Sequence, residues 1–63
     1  MKLYDFIKQR LMANEHIHIN NLGNQLLYTG YVKLIPYYLI DTEVIYASIG
    51  GNEGIHIYIK FNH

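Results

Sequence analysis

Two short segments of the chain alternate isoleucine with polar or amphipathic residues. Isoleucines stand at 17 and 19 in segment 15–20, between and after His16 and His18, and they flank His56 and Tyr58 in segment 55–62. A period of two places the isoleucines on one face of a strand and the histidines on the other. We therefore predict an antiparallel sheet with one aliphatic face and one face rich in histidine and tyrosine.

The length of the chain limits its architecture. Sixty-three residues make at most one domain, and a domain of that size buries only about 60% of its unfolded surface. Cysteine is absent, which excludes disulfides and finger-type zinc sites and leaves close packing, a histidine-bound metal or self-association as means of stabilisation. Met1 leads directly into structured sequence, so we expect a complete small open reading frame that forms a single α+β domain over residues 1–63.

Charge and hydropathy argue against nucleic acid and membrane as partners. Five basic residues balance five acidic ones, and Arg10 is the only arginine, whereas nucleic-acid recognition depends on basic surfaces and arginine forks. The longest apolar run, 34–40, is far below the roughly 20 residues that span a bilayer. No signal peptide is recognisable, so we expect a cytoplasmic protein.

Periodicity and turn residues predict one helix and four strands. Leu3, Phe6, Ile7 and Leu11 recur at helical spacing and indicate an amphipathic helix from Lys2 to Ala13. The expected fold is α+β, with this helix packed on a four-stranded antiparallel sheet made of two hairpins joined by a short helical turn. The remaining elements are strands at 15–20, 25–29 (with Gly30 as a bend, after which 31–33 could continue the strand), 43–49 and 55–62, turns at 21–24 and 50–54, and the helical turn at 36–40.

The same alternation assigns side chains to the two faces of the sheet. In the third strand, alternation separates two sets of side chains. The set that contains two isoleucines is favoured for the buried face, although Val44 and Tyr46 of the other set are also apolar. The residues expected beneath the helix are Ile17, Ile19, Ile55, Ile57, Ile59 and Phe61, joined by Ile45, Ala47 and Ile49; those expected outside are Val44, Tyr46 and Ser48.

Three histidines belong to the outward set. His16 and His18 project from one face of the first strand, and His56 takes an equivalent position on the fourth. If those strands were neighbours, the three imidazoles could converge on zinc, copper or nickel. The favoured interpretation is solvent-facing strand residues half-buried by tyrosines, with no metal and no cofactor.

Tyrosine is abundant, with seven in the chain. It combines rigid apolar area with a hydrogen-bonding tip, which explains its enrichment at binding surfaces. We predict a patch that contacts a protein partner or a second copy of the chain. It consists of Tyr46 and Tyr58 together with His16, His18 and His56. The alternative is that tyrosine serves as ordinary filler in a small domain, and a base-stacking platform would need a basic groove that the sequence lacks.

Catalytic motifs are absent from the sequence. Ser48 is the only serine, and a pair with His56 oriented by Glu43 or Glu53 has none of the surroundings of an activated nucleophile. The glycine-rich stretch 50–54 joins strand to strand, so it is predicted to be a hairpin turn rather than a phosphate loop. We therefore predict a protein that is not an enzyme.

One segment carries a family resemblance. Over 23–44 the chain has a strand, the step Tyr28-Thr29-Gly30, the turn Ile35-Pro36-Tyr37-Tyr38-Leu39, and an acidic residue leading into a strand. This pattern, about a third of the chain, resembles short uncharacterised proteins from phages and mobile elements of low-GC Gram-positive bacteria. The resemblance implies no activity and no site residues, only a setting in which small proteins act by binding a host protein.

Three functions remain open on these grounds. The first is a small non-enzymatic protein-binding module, encoded by a phage or mobile element, that regulates or inhibits a host protein. The second is a self-assembling homodimer without a separate partner. The third is a metal-binding protein that uses His16, His18 and His56.

Overall fold

The structure, a computed structural model, describes residues 1–49 and 54–61. Residues 50–53 of the turn predicted at 50–54, including Glu53, and positions 62–63, including His63, lie outside the described residues. Within the described part of the chain, no helix is long and apolar enough to cross a membrane. The elements are α1 (Leu3–Arg10), β1 (His16–Asn21), β2 (Leu26–Tyr31), a 3-10 turn (Val32–Leu34), α2 (Tyr37–Ile40), β3 (Glu43–Ser48) and β4 (Ile55–Lys60). The predicted α+β class and an N-terminal helix with a four-stranded sheet are confirmed.

Helix α1 is shorter than the predicted span from Lys2 to Ala13. It ends at Arg10 because Leu11 adopts extended dihedral angles, and a turn that links the Glu15 N–H to the Met12 carbonyl (3.2 Å) leads into β1. The start of the helix is fixed to the start of β3. There the Leu3 N–H donates to the Thr42 carbonyl at 2.8 Å. These bonds hold the apolar side of α1 over the sheet.

The strand order corrects the prediction of a purely antiparallel sheet. The order is β2-β1-β4-β3, and the two central strands, β1 and β4, pair in parallel, with His18 opposite His56. Each hairpin is antiparallel as expected, but the hairpins join through the two strands that carry the strictest isoleucine alternation. These two strands lie in the centre because a central strand is shielded by a neighbour on each side, which allows complete burial of its isoleucines. The isoleucines without exposed surface are Ile17, Ile19, Ile57 and Ile59.

The connection between the hairpins explains how a parallel pair arises. β2 and β3 lie on opposite edges of the sheet and run in the same direction, so the chain must return along the sheet between them. Segment 32–42 makes this return and contains the 3-10 turn and α2. Val32 and Leu39 from this segment are buried with the sheet isoleucines, so the crossover is itself part of the core.

The core is a single cluster between the sheet and the helical elements. Helix α1 contributes Leu3 and Phe6, and partly buried apolar side chains, among them Ile55 and Phe61, surround the cluster. Burying one large aliphatic side chain contributes about 1.5–3 kcal/mol, so these few residues supply most of the stabilisation. Among the residues that the structure describes, the eight buried side chains are Leu3, Phe6, Ile17, Ile19, Val32, Leu39, Ile57 and Ile59.

Strand β3 departs from the predicted face assignment. The register shifts between Val44 and Tyr46, so that Val44 pairs with Ile59 and Ala47 with Ile57, while Tyr46 pairs with Tyr58. Such a bulge makes Ile45 the extra residue and breaks the period of two. The predictions for three residues were therefore wrong: Ile45 is 46% exposed, Ile49 is 55% exposed, and Val44 packs against the core. Ala47, Tyr46 and Ser48 lie on their predicted sides.

Gly30 is required by its close contact with Tyr28. Its φ of +152° is unfavourable for residues with a side chain, and an added Cβ would lie 2.7 Å from the Tyr28 hydroxyl oxygen. That hydroxyl donates to the Tyr31 carbonyl at 2.7 Å. The ring of Tyr28 thus covers Gly30 and closes the end of β2.

Replacing Gly30 with alanine is expected to destabilise the domain by more than about 1 kcal/mol, since the change combines strain with displacement of the Tyr28 ring. Urea denaturation measures the loss. The matched control is Gly23→Ala, because the nearest atom to a Cβ there is 3.5 Å away. Equal stability of the two variants would contradict the prediction.

Candidate outer-face binding site

The sheet face opposite the helices carries four rows of side chains. They follow from alternation in β1 and β4 and from the register, which brings residues of four strands side by side. We call this surface the outer face; its rows are Tyr31 and His16; Thr29, His18, His56 and Ser48; Leu26, Asn20, Tyr58 and Tyr46; and Lys60 and Glu43.

Three of its residues form what we call the imidazole cluster: His16, His18 and His56. The rings of His18 and His56 are stacked across β1 and β4, with centroids 4.6 Å apart and an interplanar angle of 18°. The ring of His16 meets that of His18 edge-on at 5.4 Å. The structure thus brings together the three histidines that the sequence could join only on the condition that β1 and β4 were neighbours.

Two tyrosines form a second stacked pair in the next row. The rings of Tyr46 and Tyr58 lie 4.5 Å apart at an angle of 16°. Tyr46 is 55% exposed at the edge of the sheet, while Tyr58 is half-buried in the centre. All five predicted binding residues therefore lie on one surface.

Stacking between strands determines what the outer face offers to a ligand. Rings that stack on one another use their flat faces within the chain and direct edges and polar tips outward. Nucleic-acid platforms instead expose flat aromatic faces to the bases. The outer face consequently offers apolar ring edges with hydroxyl, amide and imidazole groups, a composition typical of protein-binding surfaces.

The geometry of the imidazole cluster does not suit a metal ion. A ligating nitrogen directs its lone pair within the ring plane, and zinc lies about 2.0–2.1 Å from it. The nearly parallel planes of His18 and His56 therefore do not direct lone pairs at a common point. Over residues 1–49 and 54–61, no group of three or more His, Cys, Asp or Glu is arranged to hold a metal.

Hydrogen bonding differs between the two stacked histidines. His18 Nδ1 lies 2.9 Å from the hydroxyl oxygen of Thr29 on β2, which fixes the orientation of the ring. Nε2 of His56 is buried and has no hydrogen-bond partner among the described residues. A proton added to that nitrogen would accordingly have no acceptor in this part of the chain.

Burial lowers the pKa of His18, and the nearby imidazoles of His56 and His16 lower it further. Each of these causes disfavours the charged ring. The unfolded chain therefore takes up this proton at a higher pH than the folded chain. The contribution of His18 to stability falls as the pH drops through 6.5, its ordinary pKa, towards the lower pKa of the folded state.

Catalytic geometry is not assembled around Ser48. Its backbone pairs with that of His56 in register, as the hairpin predicted, but no hydrogen bond joins the two side chains among the described residues. Glu43, proposed as an orienting carboxylate, lies at the opposite end of β3 and contacts the amino group of Met1. The Ser48–His56 pair thus lacks an orienting carboxylate from the described residues.

A small depression lies at one end of the sheet, apart from the imidazole cluster. Its volume is about 190 Å³, below the roughly 300–1,000 Å³ of typical ligand pockets. It is lined by Asn21, Leu22, Gly23, Lys60 and Phe61. Neither its size nor its lining indicates a site for chemistry.

Sequence reasoning missed several members of the outer face. Thr29 and Tyr31 alternate with Tyr28 and Gly30 on β2, so the outward set could have been recognised once Gly30 was included in the strand. The position of Asn20 between Leu26 and Tyr58 depends on the parallel register, for which the sequence carries no signal.

Comparison with known proteins adds no assignment: the chain matches no protein-family model, no curated protein and no solved structure.

Proposed function

We propose that this chain is a small, non-enzymatic, cytoplasmic protein-binding module that contacts its partner through the outer face. The observation that supports this most is the pre-ordered surface formed by two stacked pairs, His18 with His56 and Tyr46 with Tyr58. Rings already held in place lose little conformational freedom on binding, which favours affinity. The resemblance to proteins of phages and mobile elements suggests a host protein as the partner and regulation or inhibition as the outcome.

The size of the outer face is consistent with a protein contact. Four strands about 4.8 Å apart, each with three outward residues, span roughly 400 Å² in projection, which is the size range of weak or transient interfaces that bury less than about 600 Å² per partner. No helix of the described chain covers this surface, since α1, α2 and the crossover pack on the isoleucine face. A homodimer that includes Tyr46 of this surface is the competing proposal, favoured by the exposure of Tyr46, Ile45 and Ile49 along the edge strand β3.

The test compares two double variants of the immobilised chain in capture from a host lysate, followed by calorimetry with the purified captured protein. Tyr46→Ser with Tyr58→Ser is expected to weaken binding at least tenfold, since tyrosines at interface centres commonly contribute more than about 1 kcal/mol each. The matched control is Tyr4→Ser with Tyr37→Ser, which changes two exposed tyrosines outside the outer face (51% and 84% exposed).

Circular dichroism melts verify that both double variants fold. Equal loss of binding in the two variants, or none in either, would refute docking through the outer face. Light scattering distinguishes the homodimer: a particle of twice 7.4 kDa that the Tyr46/Tyr58 variant converts to a monomer would establish self-assembly instead.

A further inference from the structure

We infer that the outer face binds an acidic protein surface, and that protonation of the imidazole cluster tightens this binding. The inference rests on the proposed function and specifies the chemistry of the partner. It depends on how charge and hydrogen-bond donors are distributed between the two faces of the sheet.

Acidic side chains are scarce on the outer face. Among the described residues only Glu43 belongs to it, at a corner where it pairs in register with Lys60. Its carboxylate contacts the Met1 amino group, and this hydrogen bond and charge, with Lys2 and Lys60 nearby, lower the pKa of Glu43. The one carboxylate that the described residues place on this face is thus already balanced by cations.

The other described acidic residues belong to different parts of the fold. Asp5 lies in the first turn of α1, and Asp41 follows α2, both in the helical layer. Glu15 precedes β1 and belongs to the turn after α1, where its N–H donates to the Met12 carbonyl. Although the chain carries no net charge overall, the described outer face holds its imidazoles without a free carboxylate beside them.

Groups packed against the imidazole cluster are donors or neutral. From β2, Thr29 contacts His18 and Tyr31 meets His16 edge-on at 5.7 Å, while Nζ of Lys33 lies 5.9 Å from the centre of the Tyr31 ring. On β4 and β3, Ser48 pairs in register with His56, and Tyr58 and Tyr46 occupy the next row. Hydroxyls, imidazoles and a flanking ammonium together complement carboxylates.

Acid increases this complementarity. Burial, followed by repulsion from the imidazoles of His56 and His16, lowers the pKa of His18, so the ring of His18 stays uncharged near neutral pH. A carboxylate bound beside His18 favours the imidazolium and so raises the pKa of His18. Binding therefore takes up protons, and the affinity increases as the pH falls through 6.5, the ordinary pKa of histidine. The opposite sign holds for a homodimer through this face, because two protonated imidazole clusters would repel.

The experiment titrates the full chain with poly-L-glutamate at pH 7.5 and pH 6.0, with imidazole and amide NMR shifts as the readout. Expected are a several-fold higher affinity at pH 6.0, shifts concentrated on the outer face, and an increase in the imidazole pKa values at saturation. The triple variant His16→Gln, His18→Gln, His56→Gln should lose the pH dependence. The control Lys8→Gln, which removes a cation from α1, should retain it.

Four results would overturn the inference. The first two are binding of poly-L-glutamate without imidazole shifts and an affinity that does not change between the two pH values. The third is a higher affinity of the imidazole cluster for a single-stranded oligonucleotide than for poly-L-glutamate. The fourth is self-association through the outer face that excludes poly-L-glutamate. Should the triple variant fail to fold, the wild-type imidazole titration still decides. A captured partner that depends on Tyr46 and Tyr58 but binds no tighter in acid refutes this inference alone, whereas capture independent of those tyrosines refutes the proposed function.

Discussion

Replacing Ile57 with aspartate is expected to unfold the domain. Ile57 has no exposed surface and lies on central strand β4, paired with Ile19 on one side and Ala47 on the other. The substitution removes a buried aliphatic side chain and places an unpaired carboxylate in its position, a combined cost above about 5 kcal/mol. A domain of this length has a total stability of about 3–9 kcal/mol, so little of the folded state should remain. Far-UV circular dichroism and the dispersion of amide NMR shifts measure the loss.

The control for this variant is His18→Ala, one strand away on the outer face. It removes the ring stacked on His56 and the contact with Thr29 but leaves the isoleucine core intact. The melting temperature should stay close to that of the wild type. Equal damage from the two substitutions would mean that the faces of β1 and β4 are assigned the wrong way round.

Replacing Leu39 with alanine is expected to cost about 2–5 kcal/mol, the range typical of a truncated buried leucine. Leu39 is fully buried and is the buried residue of α2, a helix of four residues that cannot be stable by itself. Its loss should therefore release the crossover from the sheet as well as leave a cavity. Urea denaturation monitored by circular dichroism measures the change in the free energy of unfolding.

The matched control is Leu34→Ala in the same crossover, where the leucine is 63% exposed. This variant should lose less than about 0.5 kcal/mol, as is usual for surface positions. A comparable loss in both variants would show that the crossover is stabilised by contacts other than the packing of Leu39.

The sequence was sufficient to predict the N-terminal helix, the four strands and the faces of the two central strands, but not the 3-10 turn at Val32–Leu34, where a continued strand was allowed. Strict alternation at 16–19 and 55–59 has one physical solution when a single face is buried, and the structure contains it. Alternation failed in β3, where Val44, Ile45 and Tyr46 are all apolar and no pattern distinguishes a bulge from a regular strand. Pairing order failed for another reason, because side-chain periodicity describes one strand and carries no information about its neighbour.

The candidate site was predictable to the same extent. The five residues proposed from the sequence do share a surface, since outward positions on a sheet follow from parity alone. That His18 stacks on His56, rather than standing apart from it, depends on the parallel pairing of β1 with β4. Long-range pairing of this kind is decided by core packing and the crossover.

The central position of β4 has a consequence for how the protein is made. Ile17 and Ile19 find their main partners, Ile55 and Ile57, near the other end of the chain, so a growing polypeptide cannot complete its core until residues 55–60 have left the ribosome. Translation at about 5–20 residues per second takes roughly 3–13 s for such a chain. Until residues 55–60 are available, the nascent chain exposes unpartnered isoleucines, and we expect the domain to assemble only after β4 can pair with β1.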